Sequence, residues 1–207
     1  MASPKQDRAI RTKAEILEAA AAVFEEYGYA GASMRQIVHR AGVTLGAGYF
    51  HFEGKEALAR AVMNNQPTVI LPLLKSSALQ RLVDITFVWA HLLQTNTMLR
   101  AGVRLAVEQR SHGIRDGSSF DDWEQIMIQC LEQARADGEL RSGVECRDVA
   151  KFLVGCCTGM QLHSELTTGR ADLPQRVVTM WRLLVPVLAD PGAAEAIDLD
   201  TERGKRA

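Results

Sequence analysis

Between residues 44 and 51 the chain reads Thr-Leu-Gly-Ala-Gly-Tyr-Phe-His. Thr44, Tyr49 and His51 carry hydrogen-bonding tips. Gly46, Ala47 and Gly48 are small enough to let the backbone come close to another molecule. Hydroxyls so placed donate to phosphate oxygens. Ser33, Arg35 and Lys55 flank this stretch with a further hydroxyl and two cations. Upstream, Lys5, Arg8, Arg11 and Lys13 stand against Asp7, a net +3 within the first 13 residues. Such a segment is either a phosphate or minor-groove contact or a solvated basic terminus, and charge alone does not separate the two.

A second group of polar residues lies in apolar surroundings. Thr158 and Gln161 are three apart in the run around Val154, so a helix puts them on one face. Buried there, they need partners, and a lactone or hydroxyl of a small ligand would serve. A bond from Thr158 back to its own helix, with Gln161 at a wet edge, is the plainer reading. Trp89, Trp123 and Trp181 add aromatic bulk, and a tryptophan on an apolar stripe is more often core than site. Gln66, Trp89, His91, Leu99 and Val103 are further pocket candidates, chosen by element and polarity. Catalytic patterns are absent: there is no Gly-x-Ser-x-Gly, no phosphate-binding loop and no His-Glu-x-x-His. Cys156 and Cys157 are adjacent, without the spacing of redox or zinc pairs, so no metal or cofactor is expected.

The elements that must hold these residues are helical throughout. Ile16, Leu17, Ala20, Val23, Phe24 and Tyr27 form one apolar stripe, with Gly28 placed to cap it. Ser33 with Gln36 has the pattern of a capping box. Ala41-Gly42-Val43 supplies a tight turn, and Thr44 caps a second short helix ending near Tyr49 or His51. This is helix-turn-helix grammar, and its second helix fits the major groove. Phe52-Glu53-Gly54 breaks it, and a longer helix from Lys55 fades before Pro67. Further helices are expected around Leu82–Leu93, Leu99–Val107 (ended by Ser111-His112-Gly113), Phe120–Ala134, Arg147–Leu166 and Leu173–Ala189. Pro186 should kink the last of these or end its regular part. Residues after Asp190 read as a tail. The fold class is all-α: a helix-turn-helix domain over 8–66, a helical bundle over 67–190, and a tail over 191–207.

Composition agrees. The chain has 207 residues, 47% hydrophobic and 24% charged, as an ordered globular protein does. No uncharged apolar run is long enough to span a bilayer, and the first eight residues lack the apolar stretch of a secretory signal. A cytoplasmic protein without membrane contact is the expectation. The net charge of −1 divides into +1 over residues 1–60 and −2 over the remainder.

The wider string is specific. Arg11-Thr12, Ile16-Leu17-Glu18-Ala19-Ala20, Phe24, Gly28-Tyr29, Ile37, Ala41-Gly42-Val43-Thr44, Tyr49-Phe50-His51-Phe52, Lys55-Glu56 and Leu58 together resemble the TetR family of bacterial repressors. The likeness is closer to its γ-butyrolactone autoregulator receptors. Lys5 to Thr12, Arg100 to Leu105, Phe120 with Trp123, and Val154-Gly155 with Gly159-Met160-Gln161 also match that subgroup. The resemblance implies a regulator, not an enzyme. Its partners would be a double-stranded palindromic operator, a small-molecule effector and a second copy of the chain. The DNA contacts would be Ser33, Arg35, Thr44, Leu45, Gly46, Ala47, Tyr49, His51 and Lys55. The effector contacts would be Trp123, Thr158, Gln161, Gln66, Trp89, His91, Leu99 and Val103, with Trp123 bordering the cavity. The resemblance also implies a homodimer joined through helices between about residues 147 and 189, and the helix from Lys55 to Gln66 is the hinge candidate. Three positions depart from the subgroup's pattern. Leu45 stands where a lysine is usual, Gly48 where a leucine is, and Gly54 where a capping serine is. A receptor-like regulator answering an antibiotic fits the same sequence, and a helical ligand-binding protein without DNA function is a remote alternative.

Overall fold

The computed structural model describes residues 4–109 and 113–206. Those residues form twelve α-helices and one 3-10 turn, with a lone antiparallel bridge between Leu140 and Ala189. The helices are α1 (Pro4–Gly31), α2 (Met34–Arg40), α3 (Leu45–His51), α4 (Lys55–Asn64), α5 (Gln66–Ile70), α6 (Ala78–Thr95), α7 (Thr97–Glu108), α8 (Ser118–Ala136), α9 (Cys146–Thr168), α10 (Leu173–Leu188), α11 (Pro191–Ala196) and α12 (Arg203–Arg206). Ser111 and His112, expected to end α7, lie outside the described residues. None of the described helices is long and apolar enough to cross a membrane.

The chain gathers into two compact units: residues up to Gln66 with Asn96–Ser119, and Pro67–Thr95 with Phe120 onward. The first differs from the expected 8–66 by recruiting α7. Leu99, Val103 and Ala106 bury that helix's apolar face. Arg100 pairs with Glu25, and Arg104 donates to the Glu25 carbonyl at 2.6 Å. Periodicity shows that α7 has a face to bury, but not that α1 and α4 supply the cover. The expected hinge helix likewise ends at Asn64, inside this unit.

Within α1, Ile16, Ala20, Val23 and Phe24 are buried, while Tyr27 is half exposed and leaves the stripe. Gly28 interrupts the helix where the sequence places its cap. Its left-handed φ of 66° kinks α1, which continues to Gly31. From Pro4 onward the basic N-terminal segment forms the opening turns of α1.

The second unit is built on α6, whose sides are buried almost all round, including Leu82, Ile85, Phe87, Val88 and Trp89. Trp181 of α10 is fully buried, and its indole N–H donates to Thr86 at 2.8 Å. It is a core residue. Pro186 does not break α10, which runs two residues further to Leu188.

Residues 191–207, expected as a tail, fold back instead across the described positions. Asp190 caps α11. Gln80 of α6 exchanges two hydrogen bonds with the backbone of Asp198. Arg203 makes a two-pronged pair with Asp84 at 2.7 Å on both arms. Gly204 is required there, since a Cβ would stand 2.5 Å from the Phe87 carbonyl oxygen. This short segment carries no periodic signal, because it docks through polar groups and a glycine.

Candidate nucleic-acid interface and effector site

Helices α2 and α3 form the helix-turn-helix. Ser33 caps α2 by accepting from Gln36 N–H at 3.3 Å, and its hydroxyl donates to the Gln36 side chain at 2.6 Å. Gly42 turns the chain with φ 68°, which lets Val43 N–H reach back to the Val38 carbonyl at 3.0 Å. Thr44 then caps α3 through Ala47 N–H at 3.2 Å.

Gly48 decides how closely the two helices cross. It is buried, and a Cβ placed on it would lie 2.5 Å from Val38 Cγ1. The space a larger residue would fill is occupied by Val38, so the glycine that weakens α3 also permits its packing. Gly46 is the opposite case. It is exposed, and the nearest atom to a Cβ there is Thr44 Oγ1 at 4.0 Å.

With Gly48 facing inward, α3 turns its other side to solvent. Leu45 is 37% exposed, Tyr49 52% and Phe50 82%. Arg35 is exposed on α2, and Ala47 and His51 are half-buried at the flank. Phe50 packs edge-on against the His51 ring at 5.1 Å. Lys55, a candidate contact, is engaged within the unit. Its ammonium donates to the carbonyls of Tyr29 at 2.8 Å and Ala32 at 3.0 Å and sits 4.3 Å over the Tyr29 ring. It ties the turn after Gly28 to the start of α4. That start, at Gly54, has no side-chain cap. Lys13 lies 5.5 Å over the ring of buried Phe52.

The effector candidates fall into both units. Gln66, Leu99 and Val103 are buried in the first, with Gln66 Nε2 donating to the Met63 carbonyl at 3.0 Å. Trp89, His91, Trp123, Thr158 and Gln161 belong to the second. There Thr158 donates to the Val154 carbonyl at 2.8 Å, the plainer of its two readings. Gln161 is not at a wet edge. It is 1% exposed and accepts from the Arg170 guanidinium at 3.3 and 3.4 Å. His91 is half-buried, and its Cβ would lie 3.3 Å from a Cβ on Gly204. It therefore sits beneath the returning C-terminal segment. Trp123 is buried on α8, as is the Ser119 hydroxyl one turn before it. Among the described residues that hydroxyl is the one buried side-chain polar atom without a hydrogen-bond partner.

Residues 16–62 match the model of "Bacterial regulatory proteins, tetR family", and residues 76–190 match "Tetracyclin repressor-like, C-terminal domain". The chain belongs to the TetR family. The A-factor receptor protein of Streptomyces griseus is 42% identical over 190 residues, 91% of this chain and 67% of that protein. Full-length TylP, a TetR regulator from Streptomyces fradiae, superposes with a TM-score of 0.88 at 38% identity, covering 96% of both chains. A γ-butyrolactone receptor described as ArpA-like superposes with a TM-score of 0.68 at 29% identity, covering 97% of this chain and 99% of its own.

As a TetR regulator the protein is a DNA-binding repressor related to the A-factor and butyrolactone receptors, and not an enzyme. TetR regulators bind operator DNA as dimers and respond to small molecules. The family's C-terminal match counts α7 with the second part of the chain, whereas packing ties it to the TetR reader. Two residues of interest escaped sequence reasoning. Phe50 has no polar group to mark it, and its exposure follows only once Gly48 is known to face inward. Ser119 carries no signal, because burial without a partner is visible only in three dimensions.

Proposed function

We propose that this repressor leaves a palindromic operator when a small diffusible autoregulator binds, of the γ-butyrolactone, butenolide or furan type. It would thereby control secondary-metabolite genes from the cytoplasm. The observations that carry the reading are similarity over nine-tenths of the chain to a protein named A-factor receptor and the likeness to a solved γ-butyrolactone receptor. The α3 surface supports the DNA half, since its outward side is free of contacts that would cover it. Ser33, Arg35, Thr44, Leu45, Gly46, Tyr49 and Phe50 are the proposed contacts. Lys55 acts on the fold.

Dimerisation would use α9 and α10. Phe152 and Leu166 on the first, and Leu183 and Val187 on the second, are at least half exposed. Gly155 and Gly159 of α9 face open space, which lets another helix come close. A two-fold pair sets its recognition helices about 34–36 Å apart, one DNA turn. The effector would contact Trp123 and Ser119 on α8 and must bind better to a conformation whose spacing misses the operator.

Fluorescence anisotropy on the upstream region of the protein's own gene tests this, with each effector class titrated in. Release by one class is expected, and DNA binding unmoved by any class rejects the assigned signal. A monomer by light scattering at micromolar concentration rejects the dimer. The departures at Leu45 and Gly48 fit a second reading equally well, a receptor-like regulator that answers an antibiotic or another ligand instead.

A further inference from the structure

The reading side of α3 carries no cation. Its seven residues, Leu-Gly-Ala-Gly-Tyr-Phe-His, include neither lysine nor arginine. At about 100° per residue, the direction opposite buried Gly48 falls between Gly46 and Phe50, with Tyr49 and Ala47 on either side and Leu45 on the flank toward Gly48. The side presented outward is therefore a bare backbone at Gly46 bordered by Phe50 and the Tyr49 ring, with Leu45 partly exposed on the flank at the start of the helix. Bidentate recognition of guanine needs an arginine or lysine, and adenine an asparagine or glutamine. None of these is on the helix. One base-edge feature of the major groove is apolar: the C5 methyl of thymine.

Leu45 and Phe50 are not exposed by accident of packing. Gly48 against Val38 fixes the roll of α3, and that roll sends Phe50 outward and leaves Leu45 partly exposed on the flank. Gly46 leaves room for the groove wall to approach without a Cβ in between.

We infer that Leu45 and Phe50 read pyrimidine C5 methyl groups, so that the operator half-site places thymines opposite the face where a lysine would favour guanine or phosphate. This rests on the operator-binding reading above. Tyr49 and Thr44 then serve phosphate oxygens, and specificity comes from methyl contacts together with half-site spacing.

The test replaces each thymine of the bound operator fragment, one at a time, by deoxyuridine, which removes only the methyl. Binding is read by anisotropy on the full-length protein. At one or two positions per half-site the wild type should lose about fourfold, the worth of one buried methyl. The loss should be about fifteenfold when both half-sites are changed. Leu45→Ala or Phe50→Ala should abolish the penalty at one position each. Both sites are exposed, and unchanged circular dichroism verifies that the variants fold. Leu45→Lys should bind with a steeper salt dependence, by about 0.9 per added phosphate contact, and ignore the uracil substitution beneath it. Uniform indifference to uracil with tight binding to the parent fragment overturns the methyl reading alone. A penalty that persists in both alanine variants does the same. Absence of salt-sensitive binding to the parent fragment overturns this inference and the operator reading together.

Discussion

Replacing Gly48 by alanine sets two terms of known size against each other. At an open helical position the change stabilises by about 1 kcal/mol, because glycine is a poor helix former. At Gly48 the new methyl would stand 2.5 Å from Val38 Cγ1, whereas carbon atoms rest about 3.5–4.0 Å apart. Val38 cannot swing away cheaply, since a β-branched side chain in a helix has one strongly preferred rotamer. Overpacking of this kind costs about 1–3 kcal/mol, so Gly48→Ala should destabilise by about 1 kcal/mol net. Val38→Ala alone should cost about 2 kcal/mol for two lost methyl groups and the space they leave. In that background the alanine at 48 has room and regains its helix preference, so it should stabilise by about 1 kcal/mol. The coupling of about 2 kcal/mol far exceeds the scatter of independent sites. Urea unfolding of the full chain, followed by circular dichroism for the wild type and the three variants, measures the cycle. A Gly48→Ala protein more stable than wild type, or an effect of the same sign in both backgrounds, would refute the packing argument.

The neighbouring Gly46→Ala should do the reverse, raising stability by up to about 1 kcal/mol while weakening operator binding, because its Cβ meets open space inside the protein. Differential scanning and anisotropy on the same sample separate the two effects. Ser119→Ala should leave the unliganded protein as stable as before or up to about 1 kcal/mol more so, since it removes an unpartnered buried hydroxyl. It should also shrink the thermal shift produced by a synthetic γ-butyrolactone, and an unchanged shift would exclude Ser119 from the effector contacts. Arg203→Ala should cost about 2 kcal/mol and expose the chain after Ala189 to limited proteolysis. Burial pushes the Asp84 carboxyl up, but bonds from Arg203, Ser76 and Gln80 outweigh this and hold it below its usual range. A depressed carboxylate contributes stability above its unfolded pKa. The wild type's margin over Arg203→Ala should therefore be full above about pH 4 and fade as pH falls below it. Finally, log affinity against log salt should slope at about −5 for the dimer, from about three phosphate-facing cations per protomer. A slope near −10 would mean that cations here tied up within the fold swing out to DNA.

The helix-turn-helix was legible because each piece has a local signature: a capping hydroxyl at Ser33, a glycine at position 42 and a second cap at Thr44. The long buried helix α6 and the core role of Trp181 followed from periodicity in the same way. Partnership was not legible. The stripe on α7 asks for a cover without naming α1, and nothing in the local sequence pairs Arg100 with Glu25 across 75 positions. The docking of Arg203 on Asp84 spans 119 positions and leaves no repeat to detect. Lys55 looked like a contact residue because composition cannot tell a cation aimed at DNA from one that satisfies two carbonyls of its own chain. Gly48 looked like a defect for the same reason, until Val38 was seen to fill its place.

These assignments change what the near-zero charge means. In the reader, Lys55 and Lys13 are held over aromatic rings, and Arg40, Arg60, Arg100 and Arg104 face carboxylates or carbonyls. Arg8, Arg11, Lys13, Arg35, Arg40 and Arg115 are exposed among the described side chains, but Arg11, Lys13 and Arg40 have Glu15 at 3.8 Å, the Phe52 ring and Glu26 beside them, which leaves Arg8, Arg35 and Arg115. Counterion release from so few charges gives weak attachment to bulk DNA. A protein with little electrostatic grip must take its affinity from close fit, and close fit depends on both recognition helices arriving in register. Uncharged groove contacts, such as those proposed for Leu45 and Phe50, fall off steeply with distance, whereas charges act across a Debye length of about 10 Å. A small change in half-site spacing would thus release this reader more completely than it would a lysine-rich one. On this reasoning the loss of the recognition-helix lysine sharpens the response to an effector as much as it lowers the affinity for DNA.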